Sequence, residues 1–344
     1  MELVDNALND NFDEYLFKAK IAVCGVGGGG GNTVQRIFKQ GIKGASLIAL
    51  NTDAKQLNSI EPSIHRVLLG GSLTRGLGAG GFPEIGLKAA ELSRPEIEKA
   101  LDGYNMVFVC AGMGGGTGGG AAPVAAEIAK KNGAIVIGIV TYPFRLEKVR
   151  LQIAAKSIEA LRKNVDTLIA IDNQRLVDLY PNLAIEQAFK LADEVTSRAV
   201  RGITETINTP SFINLDFSDV RTIMNGGGLA MISVGEGKGT NKVEDAVEDT
   251  MRNKLLDVDY EGATGVVIQI TGGEDMTLGE ANEAGRMLTE QASQNANVIW
   301  GARIDPAYNG KMEIIAIFTG VKSPSIFGSS EPEKRQGDLG IGML

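Results

Sequence analysis

The sequence predicts an α/β protein with a Rossmann-like parallel sheet, a long central helix and a second, smaller α/β domain. Short, almost wholly apolar segments alternate with helix-like segments over the first half of the chain. Several of these segments run into glycine-rich loops, and a continuous helical pattern at 183–207 separates the two halves. Strands that are apolar on both faces are typical of a parallel sheet with helices on either side.

The composition narrows the class of protein. The 344 residues include 34 basic and 42 acidic side chains, for a net charge of −8, and no long block of Lys and Arg. Such a balance argues against a nucleic-acid surface. Cys24 and Cys110 end apolar runs and are interpreted as small buried hydrophobes, and the single His65 as a surface residue. No stretch is long and apolar enough for a membrane span or a signal peptide, so we expect a cytoplasmic protein.

A polar arm at 1–18, with a weak helix near its end, precedes the first strand at 19–24. Gly25–Asn32 follows as a glycine loop, and a helix is predicted from Thr33. The spacing fits G-x-G-x-x-G, and the next strand, at 46–50, runs into Asp53. Taken alone, a glycine fingerprint with an acidic residue about 20 positions later predicts a dinucleotide-binding dehydrogenase.

A second glycine loop, Gly112–Gly120, follows the strand at 106–111 and precedes a helix from Ala121, and a third occupies Thr74–Gly81. A loop between a strand and a helix N-terminus is an anion site, because backbone N–H groups and the helix dipole both face it. A Rossmann site needs glycines in its first loop only. Several loops around one polyphosphate explain the surplus better, although no P-loop lysine is present.

The remaining elements divide the chain into a nucleotide-binding domain at 19–182, a connecting helix at 183–209, a second domain at 210–321 and a disordered tail at 322–344. The tail closes on an apolar cluster that is either a docking peptide or a frayed end. Further strands are predicted at 134–140, 167–171, 230–235, 264–271 and 312–319. Further helices are predicted at 83–91, 96–101, 242–255 and 278–295, and a loop followed by a helix at 145–161.

Asp216 and Asp219 form an acidic pair at i and i+3, close to Asn214. If a helix begins near Phe217, both carboxylates lie on one side of its first turn. One aspartate would suffice to cap that helix, and the remaining polar groups could orient a water or hold a cation. The cluster lies beyond the long helix, so within one molecule it is expected to be far from the glycine loops.

These motifs together resemble the FtsZ proteins of the tubulin/FtsZ family, over roughly Ala19 to Gly320. The likeness implies a tubulin/FtsZ-like fold with a GTPase domain, and a filament-forming protein in which the acidic loop of one subunit enters the nucleotide site of the next. The loops that carry the likeness are Gly25–Asn32, Asn51–Asp53, Arg75–Gly81, Gly112–Gly118, Thr141–Glu147, Asp172–Asn173 and Asn214–Asp219.

The resemblance implies roles for individual residues. Phosphate would be held by Gly28, Gly29, Gly30, Gly31, Asn32, Gly115, Gly116, Thr117 and Gly118. Glu147 and Arg150 would meet the ribose, and Asn173, Phe189 and Asp193 the guanine. A carboxylate at Asp193 accepts from the N1–H and 2-amino groups of guanine and rejects adenine, which lacks that donor pair. Asp216, Asp219 and Asn214 would act on the attacking water, with GTP or GDP as the ligand, Mg²⁺ beside it and the metal ligands unknown.

The chain also departs from the family. Gly119 stands where Thr is usual, which predicts altered phosphate or ion contacts, and Phe82 stands where a small or polar residue is usual. The segment before Arg150 is one residue short, and the tail does not match the usual docking peptide. The implied partners are other copies of the chain, a paralogue and a membrane anchor, at the division site. A GTP-gated scaffold without turnover and an NAD-dependent oxidoreductase are the alternative functions.

Overall fold

The computed structural model describes residues 18–179, 181–182, 184–208, 212–213, 215–252, 260, 262–290 and 292–322. The predicted arm up to residue 17, the tail from residue 323 and Asn214 lie outside the described residues, and so does the side chain of Phe189. None of the described helices is long and apolar enough to cross a membrane.

The described strands form one sheet of ten, in the order β3-β2-β1-β4-β5-β6-β7-β10-β8-β9. They are β1 (Ile21–Val26), β2 (Ala45–Asn51), β3 (His65–Leu68), β4 (Met106–Gly112), β5 (Ile135–Tyr142), β6 (Thr167–Asp172), β7 (Gly228–Lys238), β8 (Gly265–Gly272), β9 (Asn297–Ile304) and β10 (Lys311–Thr319). The four-residue β3 and the eight-residue β9 were not predicted.

The first six strands are parallel, and their order is that of a Rossmann fold. The order reverses between β1 and β4, which pair from Ile21 with Met106 to Val26 with Ala111. Ligands of such sheets bind beyond the carboxyl ends of the strands at this reversal. The fold therefore directs attention to the two glycine-rich segments that leave β1 and β4.

The helices of the described residues cover both faces of this sheet, as the apolar strands predict. They are α1 (Gly27–Lys39), α2 (Ala54–Asn58), α3 (Gly71–Thr74), α4 (Pro83–Leu92), α5 (Arg94–Leu101), α6 (Gly116–Lys131), α7 (Lys148–Arg162), α8 (Asn173–Leu179), α9 (Ile185–Asn208), α10 (Phe217–Met224), α11 (Lys242–Arg252) and α12 (Leu278–Thr289). Two apolar clusters result, with Cys24 in one and its neighbour Val23 in the other.

Most glycines of the segments Gly25–Asn32 and Gly112–Gly120 belong to helices, so the helix starts predicted after these segments are wrong. Helix α1 begins at Gly27 rather than Thr33, and α6 at Gly116 rather than Ala121. Glycine is a poor helix former in the open, where its backbone entropy is lost without compensation. Here the close packing of α1 on β4 compensates for that loss of entropy. The packing needs glycine, because a Cβ added to Gly30 would lie 2.2 Å from the Cys110 carbonyl oxygen.

The long central helix is confirmed as α9, whose 24 residues span about 36 Å. Near its start, Asp193 forms an ion pair with Arg36 of α1 at 2.9 Å. At its end, the Asn208 amide donates to the carbonyl of Gly44, just before β2 begins. Helix α9 therefore runs from the carboxyl edge of the parallel strands to their amino edge.

The second half of the chain adds four strands to the sheet. Strand β7 joins β6 over a short parallel stretch, from Thr167 with Gly228 to Ile169 with Ala230. Strand β10 lies antiparallel between β7 and β8, and β9 lies parallel to β8. The helix predicted to reach residue 295 ends at Thr289, and β9 takes up the apolar residues that follow.

Helices α4 and α6 touch backbone to backbone beside the loop that follows β4. A Cβ added to Gly120 would lie 2.0 Å from the Pro83 carbonyl oxygen, and one added to Gly86 would lie 2.2 Å from that of Gly116. Backbone atoms cannot move aside as a flexible side chain can. Gly86 and Gly120 therefore fix how closely α4 approaches the start of α6.

This contact predicts that Gly120→Ala destabilises the fold by about 1–3 kcal/mol, the usual cost of overpacking a rigid site. Gly285→Ala is the matched control, because Gly285 also lies in a helix but a Cβ there would meet nothing within 4 Å. The control is expected to be neutral or to stabilise by up to about 1 kcal/mol. Urea unfolding measures both, and equal effects of the two substitutions would contradict the packing argument.

Candidate functional site

The N-termini of α1 and α6 meet at the carboxyl edge of the sheet. A Cβ added to Gly27 would lie 2.8 Å from the backbone nitrogen of Gly118. The N-cap residues, Val26 and Gly115, make no side-chain capping hydrogen bond, and neither helix has an acidic residue in its first turn. Two helix dipoles and their uncapped N–H groups thus converge on one place, which suits an anion.

The glycines predicted to hold phosphate fall into two groups. Gly28, Gly29 and Asn32 lie on the accessible side of the first turns of α1, while Gly30 and Gly31 are buried. Gly30 faces the Cys110 carbonyl, and a Cβ on Gly31 would lie 3.1 Å from Ile60. The buried pair therefore lets α1 approach the sheet and the hydrophobic core.

The same division holds at the start of α6, where Gly115 and Thr117 are partly accessible and Gly116 and Gly118 are buried. A Cβ added to Gly118 would lie 2.5 Å from the Gly112 carbonyl oxygen. The first turn of α6 can therefore pack against the end of β4 only if residue 118 is glycine. The Thr117 hydroxyl lies 2.6 Å from that of Thr52, which follows β2. This hydrogen bond joins the loops after β2 and β4.

Asp53, the acidic residue of the apparent dinucleotide fingerprint, caps a helix in this structure. Its carboxylate accepts from the Gln56 backbone N–H at 3.0 Å and caps α2. The Gln56 side chain in turn accepts from the Asn51 amide at 2.7 Å, and it lies 2.8 Å from where a Cβ on Gly28 would stand. The loop after β2 therefore packs tightly against the start of α1.

A cavity of about 310 Å³ opens beside these helix N-termini, between α1, β4, β5, α8 and α9. It brings together four predicted residues, Gly29, Asn32, Asn173 and Asp193. Asn173 is buried, and its Oδ1 atom has no hydrogen-bond partner in the protein. The Nε atom of Arg36, which also lines the cavity, is likewise buried and unpartnered. Unpaired buried polar atoms are costly unless a ligand completes them.

Asp193 is held at the wall of this cavity by two side chains of α1. Its Oδ1 accepts from the Thr33 hydroxyl at 3.2 Å, and its Oδ2 pairs with Arg36 at 2.9 Å. Burial raises the pKa of this carboxyl group, while Arg36 and Thr33 lower it. A half-buried carboxylate with fixed orientation can accept a pair of N–H groups from a flat ring, as a guanine base offers.

Glu147 and Arg150 lie at the start of α7, beside the loop after β4. They form an ion pair at 2.7 Å, and the Glu147 carboxylate also accepts from the Phe144 backbone N–H at 3.2 Å. A Cβ added to Gly114 would lie 2.9 Å from the Arg150 carbonyl oxygen, so α7 begins against this loop. The backbone of α7 at Arg150 therefore packs against Gly114, in the loop just before α6 begins, whereas neither side chain lines the cavity described above.

The acidic turn lies elsewhere in the molecule. Asp216 caps α10 by accepting from the Ser218 backbone N–H at 3.0 Å, and Asp219 lies exposed in its first turn. This turn follows the end of α9 at the amino edge of the parallel strands, whereas the anion site occupies the carboxyl edge. Phe189 lies in α9 one turn before Asp193, but its side chain, like Asn214, is outside the described residues.

Several cavity residues were missed from the sequence. Thr33, Arg36, Thr141 and Thr196 line the cavity alongside the predicted residues. Arg36 could have been predicted from the sequence, because it lies one helical turn after Asn32 on α1 and therefore on the same face of the helix. Thr196 lies three residues after Asp193, a spacing that also predicts one face of a helix.

A side chain at Gly119 would point toward α7 and α4, which does not support the expected change in phosphate contacts. A Cβ at this position would lie 2.5 Å from the Ser157 hydroxyl oxygen of α7 and 3.6 Å from Pro83. A side chain here would thus enter the α6–α7 contact. The absence of a threonine hydroxyl is a feature of helix packing.

A larger cavity of about 620 Å³ lies at the opposite, amino edge of β2, beside Phe38, His65 and Tyr104. It contains no glycine-rich helix start and none of the predicted site residues. Within the described ranges, no three His, Cys, Asp or Glu side chains come together as a metal site. The geometry therefore favours the smaller cavity at the helix N-termini as the functional site.

Comparison with known proteins agrees with this architecture. Residues 20–181 match the model for the GTPase domain of the Tubulin/FtsZ family, and residues 228–322 match the C-terminal domain of the FtsZ family. The chain is 53% identical to cell division protein FtsZ 2 of Methanocaldococcus jannaschii over 95% of its length and 86% of that protein. It is 47% identical to FtsZ 2 of Haloferax volcanii, covering 94% of this chain and 81% of the relative.

The solved structures give the same result. A structure described as an empty FtsZ dimer from M. jannaschii superimposes with a TM-score of 0.85, at 42% identity and with full coverage of both chains. The predicted fold class, a Rossmann-like domain with a central helix and a smaller α/β domain, is therefore confirmed.

The placement of Gly119 predicts that Gly119→Thr destabilises the fold by about 1–3 kcal/mol through the clash with Ser157. Combining it with Ser157→Ala removes the hydroxyl at 2.5 Å, leaves the Cβ at 3.2 Å, and should recover part of that loss. Nucleotide affinity should stay unchanged in both variants. Urea unfolding and equilibrium binding measure the two effects, and a weakened nucleotide affinity without loss of stability would contradict the packing role.

Proposed function

The chain belongs to the FtsZ proteins of the tubulin/FtsZ family, and from this premise we propose that it binds and hydrolyses GTP while polymerising head to tail into filaments for cell division. The synergy loop, defined here as residues 214–219, completes the nucleotide site of the adjacent subunit. The observation that carries this proposal is the separation of the anion site from Asp216 and Asp219 by the length of α9.

The distance between the anion site and the synergy loop explains why hydrolysis would require a filament. One molecule holds phosphate-binding helix starts at one end and water-orienting carboxylates at the other, so neither end is sufficient alone. A contact between two unlike ends of identical subunits does not close on itself and propagates as a filament. Hydrolysis then depends on assembly, because each active site needs two subunits.

The residues of the nucleotide site divide the work of binding. The uncapped N–H groups of α1 and α6, with Gly28, Gly29, Gly115 and Thr117 on the accessible side, hold the phosphates. Asp193 accepts from the guanine edge, and the unpartnered Oδ1 of Asn173 accepts one further donor. Glu147 and Arg150 border the sugar.

The chemistry is electrostatic and positional. Preorganised N–H groups stabilise charge on the transferred phosphoryl group, and Asp216 and Asp219 of the next subunit orient the attacking water. Mg²⁺ would enter with the nucleotide and take most of its ligands from phosphate oxygens and water. The described residues supply no cluster of three acidic or histidine ligands of their own.

The two alternatives have less support. A scaffold without turnover was suggested by Gly119, but that glycine faces Ser157 rather than the nucleotide site. An NAD-dependent oxidoreductase needs Asp53 on a ribose, and this carboxylate caps α2 instead. We place the protein in the cytoplasm at the division site, with a paralogue and a membrane anchor as further partners.

This proposal predicts that GTP turnover per molecule rises steeply with protein concentration and falls toward zero below the assembly threshold. Asp216→Asn should lower turnover about a hundredfold or more at every concentration, the scale of losing a group that orients water. Asparagine caps helices as well as aspartate does, so α10 keeps its cap. Phosphate release and light scattering measure turnover and assembly in the same sample.

Asp245→Asn is the matched control, because Asp245 is also an exposed aspartate in the first turn of a helix, α11. It should leave turnover unchanged. Turnover per molecule that stayed flat down to nanomolar protein would contradict a site shared between subunits.

A further inference from the structure

We propose that Phe82 is an anchor side chain that inserts into an apolar groove beside the synergy loop of the next subunit. The proposal rests on the head-to-tail assembly proposed above and names the contact that strengthens it. The partner is therefore a second copy of this chain. Phe82 is one of the residues at which the sequence departs from its family.

Exposed apolar side chains border the nucleotide site on two sides. Phe82 is 60% and Leu77 83% exposed beside the start of α6, and Leu146 and Val149 are also exposed beside Glu147 and Arg150. Large apolar groups rarely gather around a polar site unless a partner covers them. This rim is the surface that a neighbouring subunit must contact to reach the phosphates.

The backbone of Phe82 is held firmly in place. Its backbone N–H donates to the Ala79 carbonyl at 3.0 Å, and its own carbonyl accepts from Ile85 at 3.1 Å and Gly86 at 3.2 Å. Its backbone also packs against the start of α6, since a Cβ added to Gly116 would lie 2.8 Å from the Phe82 nitrogen. With the backbone fixed, only the two side-chain torsions of Phe82 have to be ordered on binding, which suits an interface anchor.

The complementary surface is a groove of about 240 Å³ beside the synergy loop. Phe212 and Leu278 form exposed walls, 73% and 63% accessible, and Met276 and Ile304 also line it. Its position relative to the synergy loop is fixed, because Ile213 and Ala302 exchange backbone hydrogen bonds at 3.1 and 3.0 Å. The groove therefore lies three residues from Asp216.

The proposed assembly brings the two surfaces together. When Asp216 and Asp219 approach the phosphates of a neighbour, the adjoining groove meets the rim around those phosphates. Phe82, next to the helix that holds the phosphates, is the rigid aromatic group of that rim. One pair of exposed charges is also complementary, since Arg75 precedes Phe82 in the same loop segment and Glu274 lines the groove.

The test is the assembly threshold of purified full-length protein with GTP. Phe82→Ala should raise the threshold about tenfold, the scale of losing one large buried apolar contact per subunit addition. Leu278→Ala should act in the same direction. Leu92→Ala is the matched control, because Leu92 is comparably exposed at the far end of the same helix, α4, and should leave the threshold unchanged.

A double-mutant cycle tests whether the two side chains touch. If Phe82 packs against Leu278, either single substitution already removes their contact. The double variant should then assemble at a threshold close to the higher of the two single-variant thresholds. Fully additive effects, or a normal threshold for Phe82→Ala, would overturn the inference. GTP binding by each unassembled variant checks that the fold is intact.

The same assay separates this inference from the proposed function. If the unsubstituted protein fails to assemble with GTP, the proposed function fails. If it assembles and Phe82→Ala assembles equally well, only the anchor is contradicted.

Discussion

Close backbone contact between glycine-rich helix starts is the constraint on which the rest of the structure depends. Helix α1 reaches β4 only because Gly30 has no side chain to strike the Cys110 carbonyl, and α6 begins beside α1 only because Gly27 and Gly118 leave room for each other. This packing brings two uncapped helix N-termini to the point where the strand order reverses. The anion site follows from that packing, since the N–H groups and dipoles cannot point elsewhere.

The same constraint is the basis for our proposal that the chemistry is divided between molecules. The anion site is built from backbone N–H groups, and the nearby carboxylates of Asp193 and Glu147 are each paired with an arginine, so little is left there to activate water. The available carboxylates, Asp216 and Asp219, lie past the end of α9, at the other edge of the sheet. In the proposed filament the two ends of neighbouring subunits meet, and the apolar rim around Phe82 would add buried surface to that contact.

Much of this could be predicted from the sequence because strand apolarity and strand–glycine–helix order are local signals. The parallel, Rossmann-like sheet, the fold class and the length of α9 followed from them, whereas the strand order came from the structure. The helix starts at Gly27 and Gly116 could not, because tertiary packing overrides the low helix propensity of glycine. Family likeness suggested a phosphate-facing role for position 119, but only the structure reveals Ser157 beside it. Arg36 was overlooked because its partner, Asp193, is 157 residues away in sequence.

The most direct measurement of the shared site uses two variants with different base specificity. Asp193→Asn replaces an acceptor with a donor at the 2-position and should bind XTP instead of GTP, while keeping its synergy loop. Asp216→Asn keeps the GTP pocket but lacks a competent loop. Neither variant alone should hydrolyse GTP, whereas their mixture with both nucleotides should, since GTP in one subunit meets the intact loop of the other. A mixture that assembles yet releases no phosphate from GTP would contradict a site completed between subunits.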